Sequence, residues 1–285
     1  MTFAGPVGQA PAGRTFLDRR IGRAGLFAAV GVLAALNAQA DQIASALTVG
    51  STFASLVDLG GISAIIWFAM FAAIRIGLED ETRSISGRDA AVLGGTVMLC
   101  FVPLSFAAKA GLFLVGLYLL VTSSRGSSSR RVSFLLLALT GPLMWGRALL
   151  TFFSAPILGL DAHIVAAAIG SGAQGNLVVT GNSQNVLIAE GCSSVHNISL
   201  AIVLWTTTAV LFRLRLDRRY AGIGIAMIAW MFSLNVARIA AIALYPSNYD
   251  YLHHGDGAIL FGWAGLIGAT LLAGMGAIRA VERQQ

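Results

Sequence analysis

Apolar residues run along this chain in blocks long enough to cross a bilayer, broken by short polar or basic stretches. The first block, Gly25 to Leu36, gives way to the polar Asn37 to Gln42. An amphipathic stretch, Ile43 to Leu59, is then expected to lie at the outer interface. Gly61 to Ile76, Ala90 to Ala107, Gly111 to Thr122 and Val132 to Phe153 follow, the middle two joined by a tight turn at Lys109. Residues 155–191 are the longest non-spanning stretch, with Gly, Ser, Asn and Gln throughout. Three last blocks are Leu200 to Phe212 (extended back to about Ser193), Ala221 to Leu244 and Ala258 to Ile278. Apolar runs of roughly 17–25 residues cross a hydrocarbon core as helices. The pattern predicts an all-α, polytopic integral membrane helical bundle of about eight transmembrane helices. Residues 1–285 form a single transmembrane domain in this reading, with Gly25 to Leu36 an uncleaved signal anchor.

Composition agrees: the chain is 56% hydrophobic and 11% charged, against about 25% charged in soluble domains. The net charge of +6 lies in short clusters at 14–23, 125–131, 213–219 and 279–283. The positive-inside rule puts all four on the cytoplasmic side. Both termini, including segment 1–20, are then cytoplasmic, and the 155–191 and 245–256 loops are extracytoplasmic. This places the chain as a multi-pass protein of the cytoplasmic (inner) membrane. No long basic patch interleaved with aromatics is present, so nucleic acid is not an expected partner. Two cysteines make no disulfide framework.

Reactive side chains gather late in the chain. Cys192 stands where the polar loop meets an apolar run, with Glu190, Ser193 and Ser194 beside it. Cys100, among Met98, Leu99, Phe101 and Val102, is read as an inert small hydrophobe. Arg238 lies 17 residues beyond Ala221, about 25 Å up a helix at about 1.5 Å per residue. That is close to the outer surface, at the level of Cys192. His253 and His254 stand at the same level, at the mouth of the last span. His196, four residues after Cys192 and on its face of the helix, is a competing base. An ionisable group inside a span marks a functional site by default, and a thiol near a cation and a helix N-terminus gains thiolate character. No zinc-type ligand spacing accompanies Cys192, and neither metal nor cofactor is expected.

Two patterns carry no function. Gly170-Ser171-Gly172-Ala173-Gln174-Gly175 matches G-x-G-x-x-G, but the following Asn176 to Asn182 reads as extended chain and turn, where a dinucleotide site needs a helix. Asn197-Ile198-Ser199 is a glycosylation sequon by pattern alone, at the start of a span.

Three segments within residues 185–265 resemble the exosortase/archaeosortase family. Glu190-Gly191-Cys192-Ser193 is similar to its Glu-x-Cys-Ser-Gly motif, with Ser194 where glycine is usual. Asn235-Val236-Ala237-Arg238-Ile239 is similar to its Asn-x-x-Arg-Ile segment. His253, with Gly257 and Phe261 at four-residue steps, resembles its His-x-x-x-Gly-x-x-x-Phe segment. The doubled histidine leaves His254 open beside His253, and His196 stays open as well.

The resemblance implies a membrane-embedded cysteine protease or transpeptidase with a Cys192, Arg238 and His253 triad. Its partners would be exported proteins bearing a C-terminal sorting signal: a short motif, a transmembrane helix and a basic tail. Cys192 would form a thioester with the substrate, resolved by water, a lipid or a glycan acceptor. Glu190 and Asn235 would orient the triad. The alternatives are a transporter whose Arg238 binds an anion, and a non-catalytic scaffold subunit of an exopolysaccharide or export system.

Overall fold

The computed structural model describes residues 21–49, 62–79, 84–104, 106–181 and 185–283. The expected cytoplasmic segment 1–20 and most of the expected interfacial stretch, from residue 50 onward, lie outside the described residues. The described chain is predominantly helical. Helices α1 (Arg23–Asn37), α2 (Ala40–Val49), α3 (Ala64–Gly77), α4 (Gly87–Phe101) and α5 (Ala107–Thr122) make up the first half. In the second half, α6 (Ser128–Thr140) continues through a π turn (Gly141–Trp145) into α7 (Gly146–Ile169). Three short strands follow, β1 (Gly172–Gln174), β2 (Leu177–Val179) and β3 (Val186–Leu187), then a 3-10 turn (Glu190–Cys192). Helices α8 (Ser194–Leu211), α9 (Arg218–Leu244), the short α10 (Tyr249–His253) and α11 (Asp256–Glu282) complete the fold.

Among the described residues, four helical segments are long and apolar enough to cross a membrane: Ser128–Ile169, Ser194–Leu211, Arg218–Leu244 and Asp256–Glu282. The α1 and α2 pair, bent by 56°, adds a broken fifth, and α3 and α5 are shorter apolar helices.

Local chemistry sets the helix starts. The side chains of Ser63, Ser127 and Asp217 accept from the backbone N–H groups of Ile65, Arg130 and Tyr220. Ser86 and Asp89 form a reciprocal capping box at the head of α4, satisfying two donors that a helix start leaves unpaired. At the other end of α4, Pro103 restricts Val102 to an extended conformation (φ −75°, ψ 125°). The helix therefore stops at Phe101. The turn expected at Lys109 lies earlier, and Lys109 sits in the first turn of α5.

Helices α1, α3, α5, α6 and α8 share the main apolar core, including Phe27, Met70, Leu112, Leu136 and Leu204. Small residues let α1 and α3 touch, as membrane helix pairs require. A Cβ at Gly77 would lie 2.9 Å from Ala28 Cβ and 3.0 Å from the Ala24 carbonyl oxygen.

The expected long loop 155–191 needs correction over its first part. Helix α7 runs on to Ile169, bent at Phe153 (φ −129°, ψ 26°), three residues before Pro156. Proline lacks an N–H and its ring pushes away the carbonyl four residues back, so the helix bends there without ending. The continuous α6–α7 segment is 42 residues long, about twice what a ~30 Å hydrocarbon core needs at about 1.5 Å per residue. Gly170, left-handed at φ 69°, then ends the helix.

β1 and β2 pair as an antiparallel hairpin, and β3 adds to β2. The G-x-G-x-x-G stretch is thus one arm and the turn of a hairpin, followed by a strand. A second core joins Leu158, Ala162 and Val165 of α7 to Val178 of β2, Ile188 and Ile239 of α9, with Cys192 packed against its edge.

Candidate functional site

Cys192 closes the 3-10 turn just ahead of α8, where its backbone N–H donates to the Ala189 carbonyl at 2.9 Å. Ser193 then caps α8, its hydroxyl accepting from Val195 N–H at 3.3 Å. The turn therefore presents the thiol at the N-terminal end of a membrane-length helix. Helix α9 runs past this end, carrying Asn235 and Arg238. The short α10 brings His253 to the same place immediately before α11 begins.

These elements converge. Cys192 Sγ lies 3.1 Å from His253 Nε2, although 61 residues separate them in sequence. His253 Nδ1 lies 2.8 Å from His254 Nε2. Tyr249 stacks on the His253 ring, with centroids 4.9 Å apart and planes 11° apart. A thiol and two imidazoles thus form one hydrogen-bonded line, with a tyrosine fixing the plane of the middle ring.

Asn235, buried on α9, ties Arg238 to the thiol's backbone. Its Nδ2 donates to the Cys192 carbonyl at 2.9 Å. Its Oδ1 accepts from Asn197 Nδ2 at 3.1 Å and, at the long end of the range, from Arg238 Nη2 at 3.5 Å. Asn197, the residue of the apparent sequon, is thereby committed to a contact between helices. Arg238 Nε is buried and has no hydrogen-bond partner among the described residues, so the guanidinium retains donor capacity within the site.

Proton positions follow from the surroundings. Burial pushes the Cys192 thiol above its ordinary value, and the Arg238 charge only partly offsets this. Burial, then the nearby His254 and Arg238, hold His253 below the ordinary imidazole value, against the opposing pull of Asp250. The resting state is therefore a neutral thiol donating to a neutral His253 Nε2. Nδ1 of His253 then carries the proton that it donates to His254 Nε2.

A cavity of about 910 Å³ opens beside this line, bounded by α3, α8, α9 and α11. His196, Asn197, Asn235, Arg238 and His254 make its polar end, and Met231, Leu234, Ile259 and Trp263 are among its apolar wall. Helical spacing put His196 and Cys192 on one face, but His196 faces the cavity and His253 meets the thiol. Glu190 is exposed, and no hydrogen bond ties its carboxyl group to Cys192, Arg238 or His253 among the described residues. Its expected orienting role finds no contact. Among the described residues no group of three or more His, Cys, Asp or Glu side chains is arranged to hold a metal ion.

One residue at the site went unnoticed in the sequence. Asp161 of α7, 3% exposed, accepts from Ser193 Oγ at 3.2 Å, Ser194 N–H at 3.1 Å and Ser194 Oγ at 2.7 Å. Its only sequence signal was an acid four residues before a run of small apolar residues, in a segment read as a loop.

Comparison with known protein families, curated proteins and solved structures finds no match to this chain.

Proposed function

We propose that this protein is a membrane-embedded cysteine protease or transpeptidase that cleaves the C-terminal sorting signals of exported proteins. The observation that carries this reading is the 3.1 Å contact between Cys192 Sγ and His253 Nε2, beside a partly unpartnered Arg238. A nucleophile within reach of a base that a third group orients is the general signature of covalent catalysis. Here His254 is that third group. The resemblance of residues 185–265 to the exosortase/archaeosortase family supports the same reading from the sequence side.

In the proposed reaction Cys192 Sγ attacks the scissile carbonyl carbon while its proton passes to His253 Nε2. The carbonyl oxygen becomes an oxyanion, for which Arg238 supplies charge and donors in a poorly hydrated setting. Collapse breaks the C–N bond as His253 returns the proton to the leaving amine, which departs with the substrate's membrane helix and basic tail. A thioester remains. Water, or a lipid or glycan hydroxyl, gives its proton to His253 and attacks the thioester. The C–S bond then breaks, and the proton returns to Cys192.

The cavity supports a substrate that arrives within the bilayer, because its apolar wall continues from the polar end down α9 and α11. The topology in this reading has eight spans and both termini cytoplasmic, with the site at the extracytoplasmic surface. Arg131 and Arg213 meet Glu79 at the opposite end of α8 from Cys192, which fits a basic cytoplasmic end. The transporter reading draws on the same Arg238 and cavity but leaves the thiol without a role.

The test is co-expression with a reporter bearing a motif, a transmembrane helix and a basic tail. Processing by the parent chain and its loss in Cys192→Ala, with the variant present in membranes, is the expected outcome. Equal processing by both sinks the enzymatic reading in favour of a transporter or scaffold.

A further inference from the structure

We propose that Asp161 is a positioning residue for Cys192: a buried carboxyl group on the bent helix α7 that fixes the turn carrying the thiol. The inference rests on the enzymatic reading for its purpose, but not for its geometry.

The peptide around Cys192 is pinned from two sides. On one, Asn235 of α9 donates to the Cys192 carbonyl at 2.9 Å. On the other, both Asp161 oxygens take donors from the next two residues: Ser193 Oγ (3.2 Å) and Ser194 N–H (3.1 Å) on Oδ2, and Ser194 Oγ (2.7 Å) on Oδ1. The Ser194 amide is one of the donors that a helix start leaves unpaired. The Ser193 hydroxyl is used twice, accepting from Val195 N–H and donating to Asp161. Between the two clamps the direction of the Cys192 side chain toward His253 has little freedom.

A helix cap alone does not account for Asp161, because Ser193 already caps α8. A carboxyl group only 3% exposed is costly to bury unless its acceptors are filled, and here three donors fill them. Its own helix is anchored by the neighbouring Leu158, Ala162 and Val165, which belong to the core that Cys192 packs against. The bend at Phe153 and Pro156 sets the path of α7 that brings Asp161 over α8. Positioning on this scale has kinetic weight, since a displacement of about 1 Å at a reacting atom costs on the order of 100-fold in rate.

The test uses the full-length chain in detergent, with Cys100→Ala making Cys192 the one thiol, and follows iodoacetamide labelling against pH. The groups bearing on that thiol are Arg238 from α9 and His253 from α10. In the parent, half-buried Cys192 labels slowly, with a midpoint above that of a free cysteine. Asp161→Ala should release the turn, raising the labelling rate per folded molecule at least about fivefold and moving the midpoint toward the ordinary thiol value. Asp161→Asn, which keeps one acceptor oxygen, should fall between. Reporter processing should move oppositely, with kcat down about tenfold or more and KM little changed. Should Asp161→Ala fail to fold, Ser194→Ala removes the shortest of the three contacts, the 2.7 Å bond from its hydroxyl, and should shift labelling in the same direction. Labelling curves that coincide with the parent's in the recovered variants, with only thermal stability lowered, overturn the proposal. Processing that survives Cys192→Ala overturns the enzymatic reading instead, and the labelling result stands apart from it.

Discussion

His254 Nε2 stands 2.8 Å from His253 Nδ1, on the side of the ring away from the thiol. This places His254 where cysteine and serine hydrolases put an orienting amide or acid. It assigns different roles to two adjacent histidines. In the proposed reaction His253 makes the proton transfers, and His254 holds its tautomer and direction.

Substitutions should separate the three histidines. His253→Ala should lower the processing rate by about 10²–10⁴-fold, the usual weight of a general acid–base group. His254→Ala should cost about tenfold, since Tyr249 still fixes the ring plane. His196→Ala, which alters only the cavity lining, should stay within about twofold of the parent. Single-turnover rates on the reporter would check the ranking, and a larger loss from His196→Ala than from His253→Ala would reverse the assignment.

The pH dependence has a definite sign. The proposed reaction needs His253 neutral at the outset, and its pKa is held below the ordinary value by burial, His254 and Arg238. Activity should therefore be fully present above the ordinary imidazole range and persist below it. It should fall only as pH drops through the depressed His253 value. Asp250 pulls that value up, so Asp250→Asn should move the acid limb of kcat/KM to lower pH. A shift upward in Asp250→Asn, or an acid limb above the ordinary imidazole value of about 6.5, would contradict the assignment.

Arg238 and Asn235 should behave as a unit, because Asn235 touches both the Cys192 carbonyl and the guanidinium. Arg238→Ala should cost about 10²–10³-fold in kcat, the range for loss of an oxyanion donor. Arg238→Lys keeps the charge without the planar fork and should recover only part of this. Asn235→Ala should be milder alone and add little to Arg238→Ala, a non-additivity readable in a double-mutant cycle. Full additivity would mean that the two act separately.

Cys192, Arg238 and His253 were legible in the sequence because each interrupts or borders apolar sequence, where a polar side chain needs a reason. Their coming together was legible too, since helix rise converts residue number into distance along a helix. Asp161 was hidden by Pro156, Gly159 and the glycines that follow, which read as loop punctuation although the proline only bends a helix whose packing holds it together. Glu190 misled in the opposite way. Its spacing from Cys192 suggested partnership, yet the 3-10 turn leaves its side chain in solvent. Only the second arm of the 172–179 hairpin was readable, as extended chain after Asn176, and the end of α4 depended on what Pro103 does to Val102.

Far from the site, Arg23 and Asp89 offer a test of the bundle itself. Both are buried, with side chains 1% and 3% exposed, and Arg23 Nη2 lies 2.8 Å from Asp89 Oδ1. Arg23 also donates to Ser123 and Thr122, and Tyr118 donates to Asp89, so the pair joins α1, α4 and the end of α5. Removing one partner leaves a buried charge uncompensated, a loss of about 3–5 kcal/mol in comparable buried pairs. Arg23→Ala should therefore lower the melting temperature in detergent sharply. Arg23→Met combined with Asp89→Asn should restore much of it, because no charge remains to be desolvated and an amide oxygen can still accept from Ser86 at the head of α4. A double variant as unstable as Arg23→Ala would show that the attraction itself, rather than the stranded charge, holds these helices together.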